Sequence, residues 1–473
     1  MANPPENSSQ SEKNSQAESL SPTALDAAGI DSATMSLPYD PDFENGRWFP
    51  TWRPFKGDLD RTPVGINEYL PPSKSMLLGV QHTFAMFGST VLAPLLMGFD
   101  PNLAILMSGI CTVMFFIITG GRMPSYLGSS FAFIGPVIAV TAYAGVGFND
   151  NLNVALGGIM ACGIIYALIG LLVMKTGTGW IERLMPPIVT GAIVMIIGLN
   201  LAPVTIQGVS ANQFDAWMAA LTVLLISGVA VFTRGMLRRL LLLVGLILSY
   251  VAYYVMTNIM GFGSPIDFSG VSTASWFGLP STHAPRFEMS AIILIAPVAF
   301  ILVAENLGHF KAVEGMTKAR VTPYMGRAFF ADGLATTFSA GFGGTGVTTY
   351  AENIGVMAVT KVYSTTIFVI AGLVAIMLGL SPKFGAIIQT IPPALLGGAS
   401  IVVFGLIAIA GAKIWIDSHI DFSKNSNLII AAVTVIMGTG NFSLHLGGFD
   451  LGGIGTATLT AIVLNALFNR QKD

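Results

Sequence analysis

The sequence predicts an all-α polytopic membrane protein of fourteen transmembrane segments, built as a 7+7 inverted repeat with short extended segments in spans 3 and 10. Three observations predict it. Of 473 residues 53% are hydrophobic and 10% charged, mean hydropathy is +0.70, and long apolar runs recur from about residue 76 to the C-terminus. The cations segregate between alternate loops. Two short motifs recur in the same order, seven spans apart.

Apolar runs between polar or Pro/Gly breaks place spans at 76–97, 102–119, 123–145, 154–174, 184–202, 214–233, 237–259, 289–312, 325–342, 345–360, 365–380, 390–411, 426–440 and 452–468. An even number puts both termini on one side. With the N-terminus inside, the inner loops and C-terminus collect 15 of the Lys and Arg residues, while the outer loops keep only Arg286 and Lys383. One missed span would scramble that alternation. "SSFA" (129–132) in span 3 echoes "TTYA" (348–351) in span 10, and "MPPIVTGA" (185–192) echoes "IPPALLGG" (391–398) in spans 5 and 12. Because seven is odd, the second copy enters the membrane in the opposite sense.

Residues 1–75 differ in kind, and their polar, Ser-rich start predicts a largely disordered cytoplasmic tail with no cleaved signal peptide. The later "GRWFPTWRPFKG" is expected either at the membrane surface or over the cytoplasmic face of the protein. Cys111 and Cys162 fall inside apolar runs and read as buried thiols. A net charge of −2 and the lack of a basic, aromatic-rich stretch give no reason to expect nucleic acid as a partner.

"SYLGSSFAFIGP" and "GGTGVTTYAENIG" are poor in helix formers and rich in Gly, Ser, Thr and aromatics. Each is predicted to begin as extended backbone before turning helical. At membrane depth such backbone is tolerated only inside protein or around a cavity. Crossing two such segments aims free N–H groups and two helix N-termini at one pocket.

Few acids fall at depth: Glu305, Glu352 and, near an end of span 9, Asp332. An intramembrane acid is costly and marks a functional site by default. Glu305 and His309 are four apart on one helical face, where a carboxylate and an imidazole can exchange a proton or a hydrogen bond. A metal there would want a third ligand, and none stands out. Two acids accept from ligand N–H groups, while backbone amides donate to ligand carbonyls. A planar imide ring such as uracil or xanthine presents that alternation, with flat faces for Phe131 and Tyr350. No G-x-S-x-G, HExxH or paired intramembrane Asp suggests an enzyme. The rivals are a xanthine or uric acid permease with a wider pocket, and an anion carrier on the same fold.

At "QHTFAMFGSTVL", "YLGSSFAFIGP", "VAENLGHFKA" and "TTYAENIGVMAVTKVYS" the sequence resembles the nucleobase/ascorbate transporter family, and within it the bacterial uracil permeases, from about residue 76 to 468. The resemblance implies proton-coupled nucleobase uptake without a cofactor, as a homodimer in the bacterial inner membrane. It implies a core of spans 1–4 and 8–11 (76–174 and 289–380) and a gate of spans 5–7 and 12–14 (184–259 and 390–468). It also implies that Glu305 and Glu352 hold the base, that the amides of Phe131 and Ala351 complete the site, and that His309 takes part in coupling. Asn353 is expected to support the site. This sequence departs from the group's pattern at Ser89 for an Ala beside the base, at Ala351 for a Gly, and at Phe404 for a Tyr supporting the second acid. Ser89 is therefore expected to touch the ring, and Ser400, one turn before Phe404, to offer Glu352 a hydroxyl.

Overall fold

The computed structural model describes residues 40–59, 62–143, 147–209, 212–446 and 449–469. Its main helices are α1 (Pro72–Met97), α2 (Pro101–Thr119), α3 (Ile134–Thr141), α4 (Leu152–Thr176), α5 (Pro187–Val209), α6 (Gln213–Phe232) and α7 (Leu241–Tyr254). After them come α8 (Val298–Thr317), α9 (Met325–Gly341), α10 (Ala351–Thr360), α11 (Thr365–Gly379), α12 (Pro393–Asp417), α13 (Asn425–Thr439) and α14 (Gly452–Asn469). Among the described residues, seven helical stretches are long and apolar enough to cross a membrane unaided, and α11 with the following Pro382–Gln389 forms a pair bent by 80°.

Local chemistry sets the boundaries. Pro72 and Pro101 occupy first-turn positions where no N–H is missed, Asp100 caps α2 by accepting from Asn102 N, and Gly98 and Gly120 end α1 and α2 in the left-handed region. Spans 3 and 10 contain short helices because each begins as a strand. These strands are β3 (Leu127–Ser129) and β4 (Val347–Thr349), numbered after β1 (Arg53–Pro54) and β2 (Glu68–Tyr69) of the N-terminal segment.

β3 and β4 pair antiparallel, Leu127 opposite Thr349, Gly128 opposite Thr348 and Ser129 opposite Val347. Ser130 N to Gly346 O and Tyr350 N to Tyr126 O extend the ladder at both ends. Two strands alone would leave their outer edges unpaired in an apolar interior, at a cost of several kcal/mol per group, roughly. Threonine hydroxyls cover them: Thr112 of α2 pairs with the amide and carbonyl of Leu127, and Thr336 of α9 with those of Val347. The ladder also needs Gly128 and Gly346. A Cβ on Gly128 would lie 2.5 Å from the Tyr350 ring, and one on Gly346 would lie 2.2 Å from the Phe133 ring.

The helices around this crossing fall into two groups. In one, α2 packs on α11, α9 on α4, and α1 on α2 and α11. In the other, α5 packs on α12, α6 on α7 and α12, and α13 on α14 and α5. The contact between α5 and α12 is close enough that a Cβ on Gly411 would lie 2.5 Å from Gly191 O, the small-residue packing that substitutes for a hydrophobic drive in lipid.

Half of the predicted disordered tail is folded. The first 39 residues lie outside the described ones, but from residue 40 the chain runs over the loops of the first helix group. β1 and β2 pair in parallel, and Val64 bridges to Val362. The buried Arg122 donates to the carbonyls of Phe43, Arg47 and Trp48 and to Asn45 Oδ1. Arg327 stacks over Trp48, whose indole N–H donates to Ile117 O at 2.7 Å. Composition suggested disorder because these bonds are long-range and run to backbone carbonyls, which no local pattern reveals. Of the two positions expected for "GRWFPTWRPFKG", the one over protein loops is what the contacts show.

Candidate functional site

A cavity of about 380 Å³ lies beside the strand crossing, within the range of small-molecule sites. Its walls include Glu305, Glu352, Phe131, Tyr350 and Ala351, five of the residues expected at the site. Both helix groups contribute, the second through side chains such as Val194 and Val403. Four expected residues stand behind the walls: Ser89, His309, Asn353 and Ser400.

Glu352 occupies the first turn of α10, immediately after β4 and Tyr350. The first N–H groups of a helix have no acceptor within it, and the amides of Phe131 and Ala351 take part in no described hydrogen bond. The strand-to-helix turns thus leave backbone donors beside a carboxylate. Glu305 sits instead inside the continuous helix α8, half-buried and without a described side-chain partner.

Ser89, expected beside the ring, has an acid as its partner. Fully buried on α1, it donates its hydroxyl to Glu352 Oε1. Ser400 also departs from its expected role: its hydroxyl returns to Leu396 O at 2.7 Å on its own helix and does not reach Glu352. A serine in an apolar helix has the carbonyl one turn back within reach as a local acceptor. Phe404 sets its ring edge-on to Phe131, with centroids 6.2 Å apart and planes at 85°. Phe131 is thereby fixed as a cavity wall. Tyr350, its counterpart in the sequence echo, is buried and donates its hydroxyl to Ser129 O at 2.9 Å, so its polar tip anchors the crossing.

His309 does not bond Glu305. Its Nδ1 lies 2.8 Å from Thr349 Oγ1, and that hydroxyl donates to Asn306 Oδ1. With the Thr349 proton spent, Nδ1–H is the donor and Nε2 keeps its lone pair. Asn306 is a hub: its amide nitrogen donates to Tyr166 Oη at 2.6 Å and to Asp332 Oδ2 at 2.5 Å, and its oxygen also accepts from Thr348 at 3.1 Å. Asp332, expected near a span end, is wholly buried in the middle of α9. The hub therefore ties α4, α8 and α9 to β4, one residue after Glu305. Asn353 supports the other acid's helix by donating to His82 Nδ1 and His82 O, both at 3.0 Å.

Sequence reasoning missed Arg238 and Arg239. Read as loop charges that set topology, they line the same cavity as the acids, from the short helix Gly235–Arg239. Arg239 Nη1 would be 3.1 Å from a Cβ on Gly355, one turn beyond Glu352. No local signal in an "RGMLRR" loop reports that placement. Cys111 and Cys162 are buried free thiols, as read from their apolar surroundings.

The sequence pattern of a family described as "Permease family" matches residues 73–447. The chain is 63% identical over 423 residues to the putative pyrimidine permease RutG of Escherichia coli K12, covering 89% of this chain and 96% of the relative. It is 37% identical over 416 residues to the uracil permease of the same organism, covering 87% and 95%. Among solved structures it is similar to the transmembrane domain of the cyanobacterial bicarbonate transporter BicA, with TM-score 0.57 and 15% identity over 83% of this chain and 97% of that one. It is also similar to the murine anion transporter Slc26a9 in its inward-facing state, with TM-score 0.61 and 12% identity over 85% and 69%. At those identities the likeness is one of fold alone.

Proposed function

The chain belongs to this permease family, and from that premise we propose that it is a proton-coupled nucleobase permease that takes up uracil and related pyrimidines. The observation that carries the reading is the cavity with Glu305 and Glu352 in its walls and, at its strand-to-helix turns, the amides of Phe131 and Ala351, which bond to nothing among the described residues. An imide ring offers N–H groups to the acids and carbonyl oxygens to the amides, and Phe131 supplies an apolar face. The names of RutG and the uracil permeases agree with that chemistry. An anion carrier is less well supported, because Glu305 and Glu352 rather than cations flank the unbonded strand-to-helix amides, and Arg238 and Arg239 enter from the short helix Gly235–Arg239. No hydrolytic step is required of any of these residues.

The architecture that accompanies this reading is a fourteen-span inverted repeat with both ends on the cytoplasmic side of a bacterial inner membrane. Two observations support it. Aligning SSFA with TTYA exchanges Gly128–Thr348 for Ser129–Val347, and both are paired in the strand register. Shifting each helix by seven also turns α2 on α11 into α9 on α4, and α6 on α7 into α13 on α14. In this scheme the first helix group is the core and the second the gate, and transport rocks one against the other around the cavity. Resemblance to the uracil permeases supports a homodimer.

The test is uptake of labelled uracil, thymine and xanthine into vesicles, with and without an inward proton gradient. Uracil accumulation that collapses with the gradient, outcompeting xanthine, is the expected result. Gradient-driven xanthine uptake with no uracil uptake would overturn the pyrimidine assignment.

A further inference from the structure

We propose that Ser89 is a positioning residue that holds one oxygen of Glu352, so that this acid meets a ring N–H in one fixed orientation. The inference rests on the nucleobase reading above and deepens it. Three contacts from one helix carry it: along α1, His82 holds Asn353, Ser89 holds Glu352, and Thr90 donates to Tyr350 Oη at 3.2 Å. Together they grip the last residue before α10 and two of its first-turn side chains. Ser89 is wholly buried and absent from the cavity wall, so its hydroxyl serves the acid and not the ligand.

A carboxylate with both oxygens free can swing to meet either edge of a ring. Once Oε1 accepts from Ser89, the carboxylate plane is held from α1 and its remaining lone pairs face the ligand at a fixed place. Among the described residues Glu305 has no such partner. The two acids therefore differ in what they demand: Glu352 requires one N–H at one position, and Glu305 tolerates adjustment. This asymmetry assigns the discrimination between the two ring nitrogens of a pyrimidine to the Glu352 side.

The experiment measures uracil uptake kinetics, and competition by 1-methyluracil and 3-methyluracil, in the unmodified protein, Ser89→Ala and Ser89→Thr. The Ser89 bond is made without ligand, so only the lost aim of Glu352 enters the affinity: one misplaced hydrogen bond to the ring, about 1.4 kcal/mol, predicts that Ser89→Ala raises the KM for uracil about tenfold and leaves the maximal rate near its starting value. The ratio between the two methyluracils as competitors should narrow at least about threefold, and Ser89→Thr, which keeps the hydroxyl, should restore both readouts. A Ser89→Ala protein that is folded, with unchanged KM and unchanged ratio, would overturn the inference. So would a fall in maximal rate alone, or failure of a folded Thr variant to recover. If the unmodified protein takes up no uracil, the nucleobase reading fails instead, which separates the two outcomes.

Discussion

Glu305 and Glu352 share one cavity but stand in opposite kinds of local structure. Glu305 rides on the side of an unbroken helix, and the residue after it, Asn306, is locked by four hydrogen bonds. Glu352 lies where a strand has just become a helix, and its own side chain is locked by Ser89. In the first case the backbone around the acid is fixed and the acid is free. In the second the break supplies backbone donors, and the acid is fixed from another helix. A broken helix can thus carry an acid at membrane depth because the break gives the ligand N–H groups to meet, while an intact helix offers the ligand only its side chain.

The largest effect is expected from removing the strand crossing that places Glu352. In Gly346→Val the new Cβ would meet the Phe133 ring at 2.2 Å between buried neighbours, so the crossing must shift. Overpacking of this kind costs roughly 1–3 kcal/mol, and thermal unfolding in detergent should show a lowered midpoint together with loss of uracil binding. An unchanged midpoint and full binding would mean that the crossing does not place Glu352. A smaller effect is expected at His309. If it links proton movement to the substrate acid, His309→Ala should reduce gradient-driven accumulation about fivefold or more beyond its effect on equilibrium binding, since coupling free energies are typically about 1–3 kcal/mol. Equal losses would leave His309 only as the holder of Thr349. The smallest effect belongs to Ser400→Ala, which removes a bond to Leu396 O within one helix and nothing at Glu352. Uracil KM should stay within about twofold, in contrast to Ser89→Ala, because a helix back-bond contributes little.

The legible parts of the molecule were those written in period and composition. Apolar runs located the helices, and a surplus of Gly, Ser, Thr and aromatics at 125–136 and 343–355 marked where helix gives way to strand. The rarity of acids at depth picked out Glu305 and Glu352. What could not be read was partner choice over long separations. Ser89 reaches Glu352 across 263 positions, and Arg122 gathers carbonyls more than 70 positions away. Helical spacing told correctly that Ser400 and Phe404 share a face, yet it could not tell that the Ser400 hydroxyl prefers its own backbone. The same limit hid the Thr349 partner of His309, because i to i+4 spacing with Glu305 gives proximity and not rotamer.

Calorimetric titration of uracil into purified protein distinguishes a pyrimidine held between two acids of unequal freedom from one held symmetrically. The unmodified protein should bind, and Glu305→Gln should weaken binding by about a hundredfold or more, because an unheld amide can turn its donor edge toward the ring N–H and leave a buried donor unpaired. Glu352→Gln should weaken it less, by about tenfold, because its amide can donate to Ser89 Oγ and keep the carbonyl oxygen toward the ring. Unchanged affinity in either variant would remove that acid from the site, and equal losses in the two would contradict the asymmetry drawn between them.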